Sequence, residues 1–523
     1  MKAFAAPLDD ILFCMTHVAG AEALPDWDAE FAREIAGHFA AFAEGEIAPL
    51  DEPGDRQGCR LENGRVRMPD GFGAVYAAYA EQGWPGLTAP EEHGGQGQSP
   101  LILALVSEVF SGACHSLQMV TGLVPGAVRT LVRFGTPAQQ ARFIPPLASG
   151  QTLATMCLTE PGAGSDLSRV RCRATANGTG WRIDGEKIFI SGGDQDMSQD
   201  ILHLVLARTS DNGIKGLSLF LCPSLRQDGT RNAVQVTRIE EKMGLHASPT
   251  CQLAFDGAEA ELIGAEGQGL MAMFTMMNHA RSDVALQGVA HAARAHDVAS
   301  AYAAERVQGR GADGAPVTLD GHADVQRLLG QIDTAALGGR MIAHLAFVTM
   351  ERGDNHDLVE FLTPVAKVYC TEAGMRGAEL GTQVLGGYGY LAEYRLEQTY
   401  RDARIAAIYE GANGIHERML ATRLLKGAPA DAFDAFVQTA LGDHPVLTLW
   451  REARARLLAL ADPSPQAHDF LWLTAETLLL ALWTRADAKA DAHPQPQRIR
   501  SRAAAAQAHG AIRAQARAQM LAL

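Results

Sequence analysis

The sequence predicts an α+β multidomain protein with four regions. These are an N-terminal helical domain (1–152), a middle antiparallel β domain (153–268), a C-terminal helical bundle (269–425) and an appended helical tail (426–523). Three observations predict this. Apolar residues recur at spacings of three and four in the first and third regions, and the pattern switches to alternation near Thr152. Beyond Pro429 the text becomes rich in Ala, Leu and Arg and is again helical. At about 150 residues per domain, a chain of 523 residues suits three or four units, and 47% hydrophobic residues give each a core.

In the first region Phe31, Ile35, Phe39 and Phe42 repeat as one buried helix face should. The stretch from Gly83-Trp84-Pro85-Gly86 to Gly94-Gly95-Gln96-Gly97 is a surface loop between helices. In the second, Arg171, Arg173 and Thr175 alternate with Cys172 and Ala174 before the turn at Asn177-Gly178. Trp181, Ile183 and the Asp184-Gly185 turn lead into Lys187–Ile190, and short runs follow at Ile201–Ala207, Leu217–Cys222, Val234–Arg238 and Cys251–Phe255. Helices resume at Gly269, interrupted by an exposed loop over Gly309–Gly321. Three of the six tryptophans, Trp450, Trp472 and Trp483, lie in the tail, so it packs. Phe470–Trp483, broken by Thr474 and Glu476, reads as a buried helix.

Composition narrows the function. A net charge of −15 makes nucleic acid an unlikely main partner. No run reaches ~18 uninterrupted apolar residues, so no membrane-spanning helix is expected. The start, Met1-Lys2-Ala3-Phe4 followed by Pro7, Asp9 and Asp10, is unlike a signal peptide. Eight scattered cysteines with no C-x-x-C pair suit a reducing cytoplasm and offer no zinc spacing. The phosphate-binding G-x-x-x-x-G-K-[ST] loop, the H-E-x-x-H pair and the G-x-S-x-G elbow are missing, and no G-x-G-x-x-G is read between a strand and a helix. The histidines form no ligand set, and no metal is expected.

Two segments carry chemistry. In Met156-Cys157-Leu158-Thr159-Glu160-Pro161-Gly162-Ala163-Gly164-Ser165-Asp166 a strand feeds a loop of small residues. Such a loop brings backbone N–H groups and hydroxyls close to a flat, phosphate-bearing ligand. The same composition also suits an ordinary strand-to-strand loop. In Ile408-Tyr409-Glu410-Gly411-Ala412-Asn413-Gly414 a carboxylate sits on a Gly-flanked turn before a helix. Apolar surroundings would raise its pKa and make it a base near neutral pH. An isolated Glu in this position is more commonly a solvated group facing a helix dipole.

Together these segments resemble the acyl-CoA dehydrogenase flavoproteins over roughly Trp27 to Leu425. The matching pieces are Thr159–Asp166, Phe189-Ile190-Ser191-Gly192, Glu305-Arg306, Gln383-Val384-Leu385-Gly386-Gly387-Tyr388-Gly389 and Tyr409-Glu410-Gly411. The resemblance implies FAD as cofactor and an acyl-CoA as substrate. It implies that Glu410 removes the α-proton while the β-hydrogen leaves as hydride to flavin N5, giving a trans-2-enoyl-CoA. The Glu410 N–H and a flavin ribityl hydroxyl would bind the thioester oxygen. By the same resemblance, FAD contacts fall on Met156, Leu158, Thr159, Gly164, Ser165, Phe189, Ser191, Ala412 and Asn413. Arg306, Gln308, Gln326, Gln383, Gly386 and Gly387 match positions that reach FAD across a subunit interface. Asn278, Arg281 and Gly411 match substrate-side positions, with Ser165 near the CoA moiety. A homo-oligomer, dimer or tetramer, and an electron-transferring flavoprotein as electron acceptor are implied as well.

Some positions depart from the family pattern. Phe189 stands where Trp is common, Ala412 where Thr is common and Asn278 where Asp is common. Ala280, where some members place their base, leaves Glu410 as the candidate. The Gly309–Gly321 insertion and the C-terminal helices resemble the branch that includes 3-methylthiopropionyl-CoA dehydrogenases. Arg498, Arg500, Arg502, Arg513 and Arg517 in the tail read as a solvated face of a packed helix. They also leave open a low-turnover, DNA-associated or scaffold flavoprotein. An acyl-CoA oxidase is the nearest enzymatic alternative.

Overall fold

The computed structural model describes residues 3–178, 180–311 and 314–522. Along the chain run α1 (Leu8–Phe13), α2 (Ala29–Phe42), α3 (Ala48–Gln57), β1 (Arg60–Glu62), β2 (Arg65–Arg67), α4 (Phe72–Glu81), α5 (Pro100–Thr121), α6 (Val124–Phe134) and α7 (Pro137–Ala148). The middle contains β3 (Thr152–Cys157), β4 (Arg173–Asn177), β5 (Gly180–Ser191), β6 (Asp200–Arg208), β7 (Leu217–Pro223), β8 (Val234–Ile239) and β9 (Thr250–Ile263). Then follow α8 (Gly269–Glu305), β10 (Val307–Arg310), β11 (Pro316–Thr318), α9 (Ala323–Arg352), α10 (His356–Leu385), α11 (Leu396–Arg404) and α12 (Asn413–Met419). The tail adds α13 (Ala428–Leu441), α14 (Pro445–Leu458), α15 (Ala467–Ala488) and α16 (Pro496–Met520). These elements form two compact units, one from residues 3–44, 100–113 and 281–522, the other from 45–99 and 114–280.

The second unit is built on a seven-stranded sheet in the order β3-β6-β4-β5-β9-β7, with β8 on β9 and β7 also pairing with β6. The strands β6, β4, β5, β9 and β7 therefore close into a ring, and β3 and β8 each add to it with one neighbour. Most ladders are antiparallel as expected, but β3 and β4 run parallel to β6. Alternation within one strand reports which face is buried and says nothing about the direction of its neighbour. β5 and β9 pair with register shifts at Ile183/Asp184 and at Lys187/Ile190. The second shift becomes important at the candidate site.

The first unit is helical. Ala295, Ala299 and Ala303 of α8 pack with Leu328 and Ile332 of α9 and Ala378 and Val384 of α10. Such small residues let helix axes approach closely. At Gly288 a Cβ would lie 2.3 Å from the Cys370 carbonyl, and at Gly374 one would lie 2.7 Å from the Gly288 carbonyl. Only glycine at both positions permits this crossing of α8 and α10, which carry Arg281 and Lys367. The predicted α2 face holds in its second half, where Phe39 and Phe42 are buried, and is rotated in its first, where Ala32 and Ala36 are buried while Phe31 is 37% exposed and Ile35 half-buried. The Gly309–Gly321 segment contributes to a β10–β11 hairpin instead of a plain loop; Ala312 and Asp313 lie outside the described residues, as do Met1 and Lys2. α5 is long and apolar enough to cross a membrane, but 89% of its apolar window is buried inside the protein.

The tail packs as its tryptophans suggested. Phe433 of α13 lies 4.8 Å from Phe361 of α10 and 4.9 Å from Trp450 of α14, between ring centroids. The two polar residues that interrupt the apolar run of α15 are both satisfied. Trp450 Nε1 donates to Thr474 Oγ1 at 2.9 Å, and Arg513 donates to both oxygens of Glu476 at 2.6 and 2.9 Å. All five arginines meet carboxylates; the solvated face is corrected for Arg498, Arg502 and Arg517, which are half-buried, while Arg500 and Arg513 are exposed as expected. Arg498 pairs with Asp10 and Asp333, Arg502 with Asp333, Arg500 with Asp491, Arg513 with Glu476 and Arg517 with Asp469. Asp10 and Asp333 come from α1 and α9, remote in sequence, so the local run of Arg could not reveal them.

Candidate active site

In the β unit, β3 ends at Cys157 and delivers Leu158 and Thr159 into the Gly-rich loop. The loop is held from beneath by a wholly buried lysine. Lys187 Nζ donates to the Leu158 carbonyl (3.0 Å) and to Glu160 Oε1 (2.8 Å). The Glu160 carboxylate also accepts the Arg171 and Cys172 N–H groups at 2.7 and 3.0 Å, tying both ends of the loop together. A Cβ at Gly162 or Gly164 would meet open space, and Gly164 and Ser165 are exposed. The register shift after Lys187 places Phe189 at φ +58° with 60% of its surface exposed. A bulge re-aims a side chain, and an exposed phenyl ring on left-handed backbone is suited to stack against a flat ligand. Met156 and Ser191, at the ends of β3 and β5, are half-buried nearby in sequence to these features. Asn278 is exposed on α8.

The helical unit contains the Glu410 turn. Glu410 has φ +53° and Gly411 φ +92°. A Cβ at Gly411 would lie 2.9 Å from His416 Nε2, so the position requires glycine on two grounds. The Glu410 carbonyl accepts from Arg281 Nε at 3.3 Å and from His416 Nε2 at 3.0 Å. Burial, aided by the Lys367 charge, lowers His416 to a pKa of about 4, so it is the neutral ring that donates. Tyr409, immediately before, hydrogen-bonds Gln287 of α8 through its hydroxyl. The Glu410 side chain differs from its backbone: Oε2 is enclosed and has no hydrogen-bond partner among the described residues. Burial raises the carboxyl to about 7, while the Arg281 and Lys367 charges oppose that rise. The solvated-Glu reading is therefore displaced by a desolvated carboxyl on a braced turn.

On the same unit, a cleft of about 460 Å³ is lined by Tyr302, Arg306, Gln308, Gly386, Gly387 and Tyr388 among others. It collects four of the six positions assigned to FAD contacts across an interface. Gly386 has φ +62°, and a Cβ at either Gly386 or Gly387 would meet nothing within 4 Å. Gly389 differs, since its Cβ would lie 2.3 Å from the Thr382 carbonyl. Arg306 stands 5.5 Å from the Tyr388 ring centroid. Gln326 and Gln383 are exposed on α9 and α10 and do not line this cleft. Asn413 is occupied within its own turn: Oδ1 accepts from Lys367 Nζ (2.8 Å), and Nδ2 donates to Glu372 Oε1 (2.9 Å) and Thr371 Oγ1 (3.2 Å). Ala412 precedes α12, with no side-chain cap. Sequence reasoning passed over Lys187, Lys367 and His416. The available hint for Lys367 was a lysine inside the apolar run Val365-Ala366-Lys367-Val368. Among the described residues, no group of His, Cys, Asp or Glu could hold a metal ion.

The helical unit carries a braced, desolvated carboxyl, and the β unit, taken by itself, carries a Gly-rich loop and an exposed aromatic ring suited to a flat ligand such as a flavin. The chain matches the acyl-CoA dehydrogenase N-terminal domain over residues 29–151, the middle domain over 155–258 and the C-terminal domain over 267–425. It belongs to the acyl-CoA dehydrogenase family, FAD-dependent oxidoreductases acting on CH–CH bonds. It is 38% identical to 3-methylmercaptopropionyl-CoA dehydrogenase of Ruegeria pomeroyi, over 84% of this chain and 80% of that protein. It is 33% identical to a broad-specificity linear acyl-CoA dehydrogenase of Mycobacterium tuberculosis, over 75% of this chain and 69% of that protein. The FAD complex of an acyl-CoA dehydrogenase from Bacillus anthracis shares the fold, with a TM-score of 0.77 at 21% identity, covering 98% of this chain and 91% of that one. FAD is the family cofactor, and the residues here suit it. The open surfaces at Gly162, Gly164, Gly386 and Gly387, the Phe189 ring and the unpartnered Glu410 Oε2 are features that packing alone does not require.

Proposed function

We propose that Glu410 removes the α-proton of an acyl-CoA thioester, yielding a trans-2-enoyl-CoA. The observation that carries this is the enclosed, unpartnered Glu410 Oε2 on a carboxyl pushed up to about 7. Arg281 and His416 hold the Glu410 carbonyl, which fixes the direction of its side chain. The Glu410 N–H polarises the thioester carbonyl and thereby acidifies the α-carbon. Bound FAD supplies the acceptor for the β-hydride. Met156, Leu158, Thr159, Gly164, Ser165, Phe189 and Ser191 are assigned to holding it. Arg306, Gln308, Gln326, Gln383, Gly386 and Gly387 are assigned to a neighbouring subunit's cofactor, so the working form is a homo-oligomer. Asn278, Arg281 and Gly411 are assigned to the substrate side. The domain boundaries proposed above, a cytoplasmic location and an electron-transferring flavoprotein as acceptor complete the reading.

The likeness to the Ruegeria pomeroyi enzyme supports a short thioether acyl-CoA as substrate. A steady-state panel of thioether, short linear, long linear and branched acyl-CoAs is expected to give its highest kcat/KM with 3-methylmercaptopropionyl-CoA. A higher value on a long or branched chain would overturn the substrate assignment. The tail arginines, each spent on a carboxylate, give no support to a nucleic-acid role.

The raised Glu410 also fixes a pH dependence. The deprotonated carboxylate is the active form, so kcat/KM rises with pH through about 7 and levels off above it. A profile that stays flat down to the ordinary carboxylate range would contradict a desolvated base.

A further inference from the structure

We infer that Lys367 is the positioning residue for the catalytic turn, setting both the direction of Glu410 and the pH at which it works; this rests on the proposed role of Glu410. Lys367 sits on α10 and is 0% exposed. Its Nζ donates to the Gly411 carbonyl at 2.9 Å and to Asn413 Oδ1 at 2.8 Å. Asn413 in turn donates to Thr371 and Glu372, one helical turn further along α10. One short stretch of α10 thus grips the turn by a main-chain carbonyl on one side of Ala412 and by a side-chain amide on the other.

The turn needs such a grip. A glutamate at φ +53° followed by a glycine at φ +92° persists only where the surroundings over-determine it. An ammonium taken wholly out of water is equally unfavourable without partners, and an apolar side chain would fill the same space at less expense. The ion is therefore retained for its charge and its two bonds. Burial is the largest influence on Lys367 and pushes it down to about 7, with Arg281 acting in the same direction, whereas the facing Glu410 and Glu372 favour its protonated form; the ammonium is therefore complete on the acid side of neutrality, where the acidic limb of Glu410 lies. His416, on α12, is held neutral. Lys367 and Arg281 are the cations that oppose the rise of Glu410. Removing Lys367 leaves Arg281 alone in that role.

The test is anaerobic, single-turnover flavin reduction in the holoenzyme, followed against pH with 3-methylmercaptopropionyl-CoA and with butyryl-CoA. In Lys367→Met the midpoint of the acidic limb is expected to rise by about one pH unit, as loss of a neighbouring charge in a partly desolvated site requires. The plateau rate is expected to fall at least about tenfold as the turn loosens. Lys367→Arg, which keeps the charge with altered reach, should restore the wild-type midpoint while remaining slower at the plateau. A purely structural lysine would lower the rate in both variants without moving the midpoint, and that result overturns the inference. If Lys367→Met fails to retain FAD, Asn413→Asp serves instead. A carboxylate against Nζ offsets the cation, so the midpoint should again rise, and an unchanged midpoint again overturns the inference. Failure of the wild type to be reduced by either thioester would instead remove the Glu410 reading, and this one with it.

Discussion

Replacing Glu410 with glutamine is expected to slow flavin reduction by an acyl-CoA by roughly 10²–10⁴-fold, the range contributed by a positioned general base, while FAD stays bound. Glutamine keeps the shape of the side chain but cannot accept a proton at working pH. The bonds that hold the turn end on oxygens other than the carboxylate: Arg281 and His416 on the Glu410 carbonyl, and Lys367 on the Gly411 carbonyl and Asn413 Oδ1. They do not depend on the carboxylate. The loss should therefore fall on the rate and leave the visible flavin spectrum of the resting protein unchanged. Reduction at the wild-type rate would place the base elsewhere. Ala280, the alternative position, offers no acid or base.

The largest effect on stability is expected at Asp333. Its side chain is 1% exposed and accepts from Arg498 at 2.5 and 3.0 Å and from Arg502 at 2.8 Å, both on α16. Arg498 also reaches Asp10 of α1, and Arg340 of α9 meets Glu108 of α5. In Asp333→Asn, Arg502 loses this carboxylate while Arg498 keeps Asp10, and both guanidinium groups are about a quarter exposed. The helical unit should therefore be destabilised by less than the loss of about 3–5 kcal/mol for a fully buried pair, with α16 the first segment cut in limited proteolysis. Stability and cleavage indistinguishable from wild type would show that the arginines dock the tail without Asp333. The pH sign follows from the same groups. Burial alone would raise Asp333, but hydrogen bonds from Arg498 and Arg502 and the neighbouring positive charges outweigh it and hold the carboxyl below its usual value. Its contribution is complete above the ordinary carboxylate range and is lost as pH falls through the lowered folded-state value. The difference between wild type and variant should accordingly shrink in acid.

Glu410 was legible because its chemistry is local: Gly411 follows it, an apolar run precedes it and a helix begins at Asn413. The tail helix α15 was legible for a similar reason, since the eleven apolar residues of Phe470–Trp483 around Thr474, Glu476 and Thr477 call for burial. Lys367 was not legible. Its partners lie more than forty positions away, and only the fold brings α10 against that turn. The arginine partners Asp10 and Asp333 were hidden by the same kind of separation, which turned a paired docking face into an apparently solvated one. The parallel placement of β3 and β4 against β6 escaped because strand alternation carries no information on direction. Phe31 misled because its spacing fits a helix face that the small residues Ala32 and Ala36 in fact occupy.

The central claim, that this chain uses Glu410 to oxidise an acyl-CoA, is tested most directly by mixing the holoenzyme anaerobically with 3-methylmercaptopropionyl-CoA and identifying the thioester released. The expected result is loss of visible flavin absorbance together with an enoyl-CoA that has lost two hydrogens, one product per flavin, and neither change in Glu410→Gln. Intact thioester with an unbleached flavin in the wild type, across the panel of acyl-CoAs, would contradict it.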